Sequence, residues 1–169
     1  MVTVVSLQAT PYDLIKDLVP VAQVSTFDYV LAVNVKSPIN SMQDLIQLAR
    51  KQPGKLNYAS AGSGSGQHMY MELARSAAGI QIQHIPYKGS APALVDVAGG
   101  QTQMMIDTIN TVLPYAKDGR LRPLAIAISK RSPALPEVPT LDEAAGMPGF
   151  EMSAWQGVVV PAGTPKEVI

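Results

Sequence analysis

Twelve residues hold the densest chemistry of the chain: Asn57-Tyr58-Ala59-Ser60-Ala61-Gly62-Ser63-Gly64-Ser65-Gly66-Gln67-His68. Small residues from Ser60 to Gly66 let the backbone bend sharply and let a ligand approach it closely. A helix start directly after them supplies unpaired N–H groups and the positive end of a dipole. Strand, glycine-rich loop and helix together outline an anion cradle, with Ser60, Ala61, Gly62, Ser63, Gly64 and Ser65 as its grip. The serines add neutral donors. A flexible surface linker is the plain alternative for a glycine–serine run. Against it, the run is short and sits tightly between two regular elements.

Several catalytic or nucleotide-binding readings are excluded. A P-loop needs Gly-Lys-Ser/Thr at its end, and no lysine lies between Lys55 and Lys88. A dinucleotide fingerprint needs G-x-G-x-x-G, whereas here Gly62, Gly64 and Gly66 alternate and Gln67 follows. A nucleophile elbow needs glycines two residues either side of a serine, but Ser63 is flanked by Ala61 and Ser65.

Other residues join the loop as candidates. Asp107 either accepts a hydrogen bond from a ligand hydroxyl or amine, or serves a turn or cap beside Asn110. His68, in the first helical turn, faces a ligand or packs as an ordinary residue. Lys88 and Gly89 stand on a second loop, where the lysine adds positive potential or is simply solvated. Trp155 lines a cleft floor or fills the core, and the core is the favoured reading. A serine hydrolase or acyltransferase would use Ser60 or Ser65 with His68 or His84. It requires nucleophile, base and orienting acid within hydrogen-bond reach, and no elbow supports it.

The elements that must position these residues alternate. Met1 to Leu7 reads as an apolar strand, an odd beginning that hints at a chain cut from a longer protein. Thr10-Pro11-Tyr12-Asp13 is a turn, with one helical turn expected over Leu14 to Leu18. Val19 to Thr26 and Asp28 to Asn34 read as two strands. Ser41-Met42-Gln43-Asp44 caps a helix that Pro53-Gly54 stops. Lys55 to Ala59 is a strand, Gln67 to Ala78 a helix ended by Gly79, and Ile80 to Pro86 a strand. Ser90 is expected to cap Ala91 to Ala98, and Gln103 to Thr108 is the next strand. Asn110 is expected to cap a helix over Thr111 to Lys117, with Pro114 near its first turn. Leu124 to Ile128 is a strand, and Lys130 to Pro139 a proline-punctuated link. Thr140-Leu141-Asp142-Glu143 is a second capping box, and Phe150 to Val160 the last strand. Such an order predicts an α/β fold with a mainly parallel sheet. Three marked loops, Ser60 to Ser65, Tyr87 to Ser90 and Asp107 to Asn110, then fall at strand carboxyl ends, where ligands bind such sheets.

Composition sets the outer bounds. The chain has 169 residues, 47% hydrophobic and 15% charged, so it can bury a core. A formal net charge of +0 argues against nucleic acid as partner. The absence of cysteine removes disulfides, thiolate catalysis and zinc–thiolate sites. Nothing calls for a metal or cofactor. No apolar run reaches the roughly 20 residues of a membrane-spanning helix. Met1 to Leu7 lacks the basic flank and cleavage-type ending of a signal peptide.

With these loops laid out, the chain resembles the Bug, or TctC-like, family of extracytoplasmic solute receptors of tripartite tricarboxylate transporters. The resemblance rests on ordered blocks: Pro53-Gly54-Lys55-Leu56-Asn57-Tyr58-Ala59-Ser60, Gly62-Ser63-Gly64-Ser65 with His68, and His84-Ile85-Pro86-Tyr87-Lys88-Gly89 with Ala91-Pro92-Ala93-Leu94. Asp107, Gly119-Arg120-Leu121-Arg122-Pro123-Leu124-Ala125, Lys130 to Thr140, Trp155-Gln156-Gly157 and Pro161-Ala162-Gly163-Thr164-Pro165 continue it. The resemblance implies a type II periplasmic binding protein-like fold with one complete α/β domain and part of a second. Residues 1–34 would hold part of domain 1 and a crossover strand, residues 35–123 a complete domain 2, and residues 124–169 the return. Ala32 to Asn34 and Leu124 to Ile128 would be the crossovers.

By the same resemblance, backbone amides and hydroxyls hold the carboxylate of a small organic acid, without catalysis. The implied partners are that acid and the membrane components of the transporter, and the implied compartment is the periplasm. The family's N-terminal strand and loop, C-terminal helix region and signal peptide are expected to be missing. A truncated, non-binding interaction module is the alternative, and apolar surface left by an incomplete domain would favour homo-oligomers. The family's loop usually reads Gly-Ser-Ser-Gly-Asn-Gly-Ser/Thr; here Ala59, Ala61 and Ser63 depart from it. A main-chain grip survives those changes, while solute identity does not carry over.

Overall fold

A computed structural model describes residues 9–169. The strand expected over Met1 to Leu7 lies outside the described residues. The elements run β1 (Leu18–Asn34), α1 (Met42–Lys51), β2 (Asn57–Ser60), α2 (Gly66–Ala78), β3 (Gln83–Pro86), α3 (Ser90–Gly99), β4 (Met104–Thr108), α4 (Ile109–Lys117), β5 (Leu121–Ile126), α5 (Leu141–Ala145) and β6 (Ser153–Pro161). A short 3₁₀ turn, Lys166–Val168, follows.

The sheet order is β3-β2-β4-β1-β5, and β6 pairs with β1. β2 is parallel to both β3 and β4. β1 is antiparallel to β4, β5 and β6, so the sheet is mixed rather than mainly parallel. β4 and β5, both antiparallel to β1, share one direction. The apolar run Tyr29-Val30-Leu31-Ala32-Val33 marks a buried strand, but such a run carries no information on direction.

β1 also corrects the expectation of two strands. It is one strand of 17 residues. Ser25-Thr26-Phe27 continues it, because β-branched and aromatic residues suit a strand. Register shifts at Pro20/Ala22 and Gln23/Ser25 absorb the irregularity against β6. The strand changes partners in its middle: Leu18 to Asp28 pair with β6, whereas Tyr29 to Asn34 lie between β4 and β5.

Helices cover both faces of the five-stranded part. One core cluster joins Met42, Leu45, Met71 and Leu141 to Leu31, Val33, Tyr58 and Met104. The other joins Ala93, Leu94, Val97 and Val112 to Val30, Ala32, Ala59 and Met105. Alternate residues of each strand thus feed opposite clusters, as the strand period demands.

The caps follow the sequence closely. Ser41 Oγ accepts from the Asp44 N–H at 3.1 Å. Thr140 and Glu143 form both bonds of a capping box. Gly79 ends α2 in the left-handed region at φ 60°. Two expected caps are not formed. α3 begins after Gly89, and Ser90 Oγ instead accepts from Gln67 Nε2 at 3.0 Å. α4 begins directly after Thr108, leaving Asn110 inside the helix and Pro114 beyond its first turn.

Candidate functional site

β2, β3 and β4 are parallel neighbours, so their carboxyl ends meet on one edge. Each leads within a few residues into a helix. α2 packs on one face of the sheet and α3 on the other. Chain connections diverge between β2 and β4, which opens a crevice at the sheet edge. The N-termini of α2, α3 and α4 all point there. A helix of 13 residues, one of 10 and one of 9 therefore bring their positive ends to one edge.

The glycine–serine loop follows β2. The Tyr87 N–H donates to the Ser60 carbonyl at 3.0 Å, which ties the second loop to the first. Ser60 is fully buried, and its hydroxyl accepts from the Gly62 N–H at 3.1 Å. Gly62 holds φ 129° and Gly64 φ 79°, both reserved for glycine. The Gly64 N–H donates to His68 Nδ1 at 3.1 Å. The Ser65 N–H donates to the Gly62 carbonyl at 3.1 Å, and Ser65 Oγ caps α2 by accepting from the His68 N–H at 3.3 Å. Three of the loop's N–H groups are thus spent on the protein itself. The N–H groups of Ala61 and Ser63 have no acceptor among the described residues. Those of Gly66 and Gln67 belong to the first turn of α2, where a helix leaves its donors open. The open donors are therefore those of Ala61 and Ser63 in the loop and of Gly66 and Gln67 at the helix start.

Both histidines hold this loop in place. His84 Nε2 lies 2.6 Å from Ser60 Oγ. The His84 ring is sandwiched, with His68 at 4.0 Å between centroids on one side and Tyr58 at 4.9 Å on the other. The Tyr58 hydroxyl donates to Glu72 Oε1 at 2.7 Å. Burial, then that bond to Glu72, pushes the Tyr58 phenol up. Burial pushes the Glu72 carboxyl up, but the bonds from Tyr58 and Arg75 outweigh it and hold it below its usual range. Ser60 and His84 thus meet at bonding distance, as the hydrolase reading required. Yet Ser60 is inaccessible, and no carboxylate hydrogen-bonds His84 among the described residues. The pair braces the loop.

The histidine stack sets a pH dependence. Burial, then the neighbouring His68, depresses His84 below its ordinary 6.5. The unfolded chain binds that proton first, so the stabilisation is complete above 6.5 and declines as pH falls below it. Denaturant titrations from about pH 7.5 to about pH 5.5 should show falling stability, with a flatter slope in His84→Gln. An unchanged slope in the variant rules this origin out. Glu72 leaves that window unaffected, because its lowered carboxyl stabilises fully above 4.5 and loses that stabilisation only as pH falls below it through the folded value.

Asp107 is the last residue but one of β4 and is 1% exposed. Its Oδ1 accepts from the Thr108 N–H at 2.7 Å and from Gln67 Nε2 at 3.1 Å. Gln67 thereby bridges the starts of α2, α3 and α4. It is missing from the sequence-based candidates because a glutamine after a glycine loop carries no motif of its own. Lys88 is exposed, and Gly89 is the N-cap of α3 at φ 115°.

A cavity of about 620 Å³ opens beside the loop, lined by Tyr29, Gly66, Trp155 and residues of β1 and β6. Trp155 is 56% exposed and forms its wall, so the expectation of a core tryptophan fails. Its strand pairs with β1, and Tyr70 of α2 reaches its first residue, where the hydroxyl donates to the Ser153 carbonyl at 2.9 Å. Tyr29 is also absent from the sequence-based candidates, since it reads as one more apolar strand residue. A Cβ on Gly66 would stand 2.8 Å from the Tyr29 hydroxyl, so glycine lets tyrosine and helix start touch. Burial, then Tyr70 and Asp107, pushes Tyr29 up to about 12.

Comparison with known proteins places this arrangement. Residues 3–169 match the family described as tripartite tricarboxylate transporter family receptor, and the chain belongs to that family. It is 39% identical to protein BugT of Bordetella pertussis, over 96% of this chain and 50% of BugT. It superposes on R. palustris Rpa4515 with adipate at a TM-score of 0.91 and 38% identity, covering 95% of this chain and 54% of that one. MatC of Rhodopseudomonas palustris, solved with bound malate, gives 0.89 at 31% identity, covering 96% of this chain and 55% of that one. BugD, a periplasmic binding protein, is also similar, so the α/β fold is of the periplasmic binding protein kind. The chain spans about half the length of the relatives it matches.

Proposed function

We propose that this chain carries the carboxylate-gripping part of an extracytoplasmic solute receptor. Its solute is a small organic acid, delivered in the periplasm to the membrane components of a tripartite tricarboxylate transporter. The observation that supports this most is the convergence of three helix N-termini on open N–H groups at the sheet edge. Neutral donors suit a carrier. They stabilise an anion through fixed dipoles and avoid a dry ion pair, which is costly to assemble and to break. Ala61, Ser63, Gly66 and Gln67 supply backbone donors, while Ser60, Gly62, Gly64, Ser65 and His68 hold the loop's shape. Lys88 and Gly89 border the same edge. Residues 35–123 form the gripping domain, Ala32 to Asn34 and Leu124 to Ile128 are its crossovers, and the β1–β6 ribbon leads toward the domain across the cleft.

Calorimetric titration of the chain with adipate, malate, succinate and citrate tests the reading. Saturable binding of at least one acid, lost on adding a large excess of another that also binds, is the expected result. No heat and no thermal stabilisation with any of them overturns it.

One observation favours a second activity beside this one. Val24, Trp155, Val158 and Val159 are 67%, 56%, 48% and 41% exposed on the β1–β6 ribbon. Such an apolar patch marks an association surface. Self-association through it should appear in sedimentation as a concentration-dependent dimer, and a clean monomer at high concentration counts against it.

A further inference from the structure

The cradle accounts for a carboxylate but leaves one buried oxygen unexplained. Asp107 is 1% exposed, and both donors that reach it, the Thr108 N–H and Gln67 Nε2, go to Oδ1. Its other oxygen, Oδ2, is buried with no hydrogen-bond partner among the described residues. A buried carboxylate oxygen left unpaired is costly, and native folds rarely keep one without a role for it. Its position is specific. It stands at the carboxyl end of β4, within a Gln67 side chain's reach of the starts of α2 and α3. That is the edge on which the open N–H groups lie.

We infer that Asp107 selects the class of acid this site takes. Its Oδ2 accepts a hydrogen bond from a hydroxyl or ammonium group on the carbon next to the bound carboxylate. The inference rests on the carboxylate-receptor reading and narrows it. An anion drawn to the helix starts arrives beside a second negative charge. Nothing basic hydrogen-bonds that charge, and Lys88 on the α3 side is exposed with no ion pair among the described residues. Like charges so placed repel unless a proton-bearing group stands between them. A 2-hydroxy or 2-amino acid brings that group; an unsubstituted dicarboxylate does not. Entry needs the Gln67 amide to swing from Asp107, a rotation of one side chain. The hydroxyl or ammonium then donates to Oδ2, which offsets the bond that Gln67 gives up at Oδ1.

The test compares malate, aspartate, succinate and adipate by calorimetry on the full chain. Malate or aspartate should bind at least about tenfold tighter than succinate, the size expected of one hydrogen bond to a charged acceptor. In Asp107→Asn, which turns the Oδ2 acceptor into a donor, that preference should shrink to within about threefold, with succinate binding gained. A water held on Oδ2 would serve every acid alike, so equal affinity for malate and succinate overturns the inference. Binding of adipate or succinate alone overturns it too and leaves the receptor reading standing. If none of these acids binds, the inference falls, and the receptor reading falls with it when citrate gives no heat either. Should Asp107→Asn fail to fold, the wild-type ratio of malate to succinate decides alone.

Discussion

Exchanging Gly62 for valine is expected to abolish carboxylate binding, weakening it by about a hundredfold or more, while most of the fold stays intact. Gly62 holds φ 129°, where an L side chain is strained whatever space surrounds it. A Cβ there would also stand 3.2 Å from the Tyr87 carbonyl, which belongs to the second loop of the site. Valine therefore forces the loop to refold locally. The Gly62 N–H leaves Ser60 Oγ, its carbonyl leaves the Ser65 N–H, and the open donors at Ala61 and Ser63 lose their alignment. None of the large core side chains moves, so the cost to stability should stay near 2 kcal/mol. Calorimetry with whichever acid binds the parent, beside a thermal melt, separates the two effects. Near-parental affinity in a folded Gly62→Val chain removes this loop from the binding site.

How far the sequence announced this structure depends on what kind of fact is asked of it. Caps are local, and Ser41, Gly79 and Thr140 with Glu143 were legible because each acts within a few residues. Strand partners are not local. Tyr29 to Val33 read as a buried strand, but nothing in a run of apolar residues says that it lies antiparallel between β4 and β5. Val19 to Thr26 reads as separate from Asp28 to Asn34 because Ser25-Thr26-Phe27 interrupts the valine pattern, whereas a bulged pairing to β6 carries the strand straight through. Ser90 and Asn110 do not cap, for different reasons. Cap preference weighs a residue against its chain neighbours, whereas Gln67, distant in sequence, takes the Ser90 hydroxyl, and α4 starts at Ile109, ahead of Asn110.

The site divides along the same line. That three loops share an edge followed from alternating strands and helices, and the Tyr87 to Ser60 bond joins two of them. Which donors stay open did not follow. The side chains of Ser60 and His68 consume the N–H groups of Gly62 and Gly64, a competition visible only once the loop has a shape. Gln67 and Tyr29 carry no motif, so their place beside the loop was hidden until the sheet register was known.

The largest loss of stability reserved for one polar side chain is expected at Asn34. It is 7% exposed at the end of β1. Its Nδ2 donates to the carbonyls of Val97 at 2.9 Å and Ala98 at 2.8 Å, in the last turn of α3. Its Oδ1 accepts from the Lys36 N–H at 2.7 Å. A helix end leaves its final carbonyls open, and here a strand supplies the donor that water would otherwise provide. Asn34→Ala strands those groups in a closed environment, at a cost of about 2–3 kcal/mol. For a chain of this size the melting midpoint should fall by about 5–10 °C. Asn34→Asp should be worse, because it sets a negative charge against carbonyls at the negative end of the α3 dipole. The order parent, alanine, aspartate in thermal melts is the signature of a donor lost and then inverted. If alanine melts within about 1 °C of the parent, solvent reaches those carbonyls and the tie between β1 and α3 adds nothing to stability.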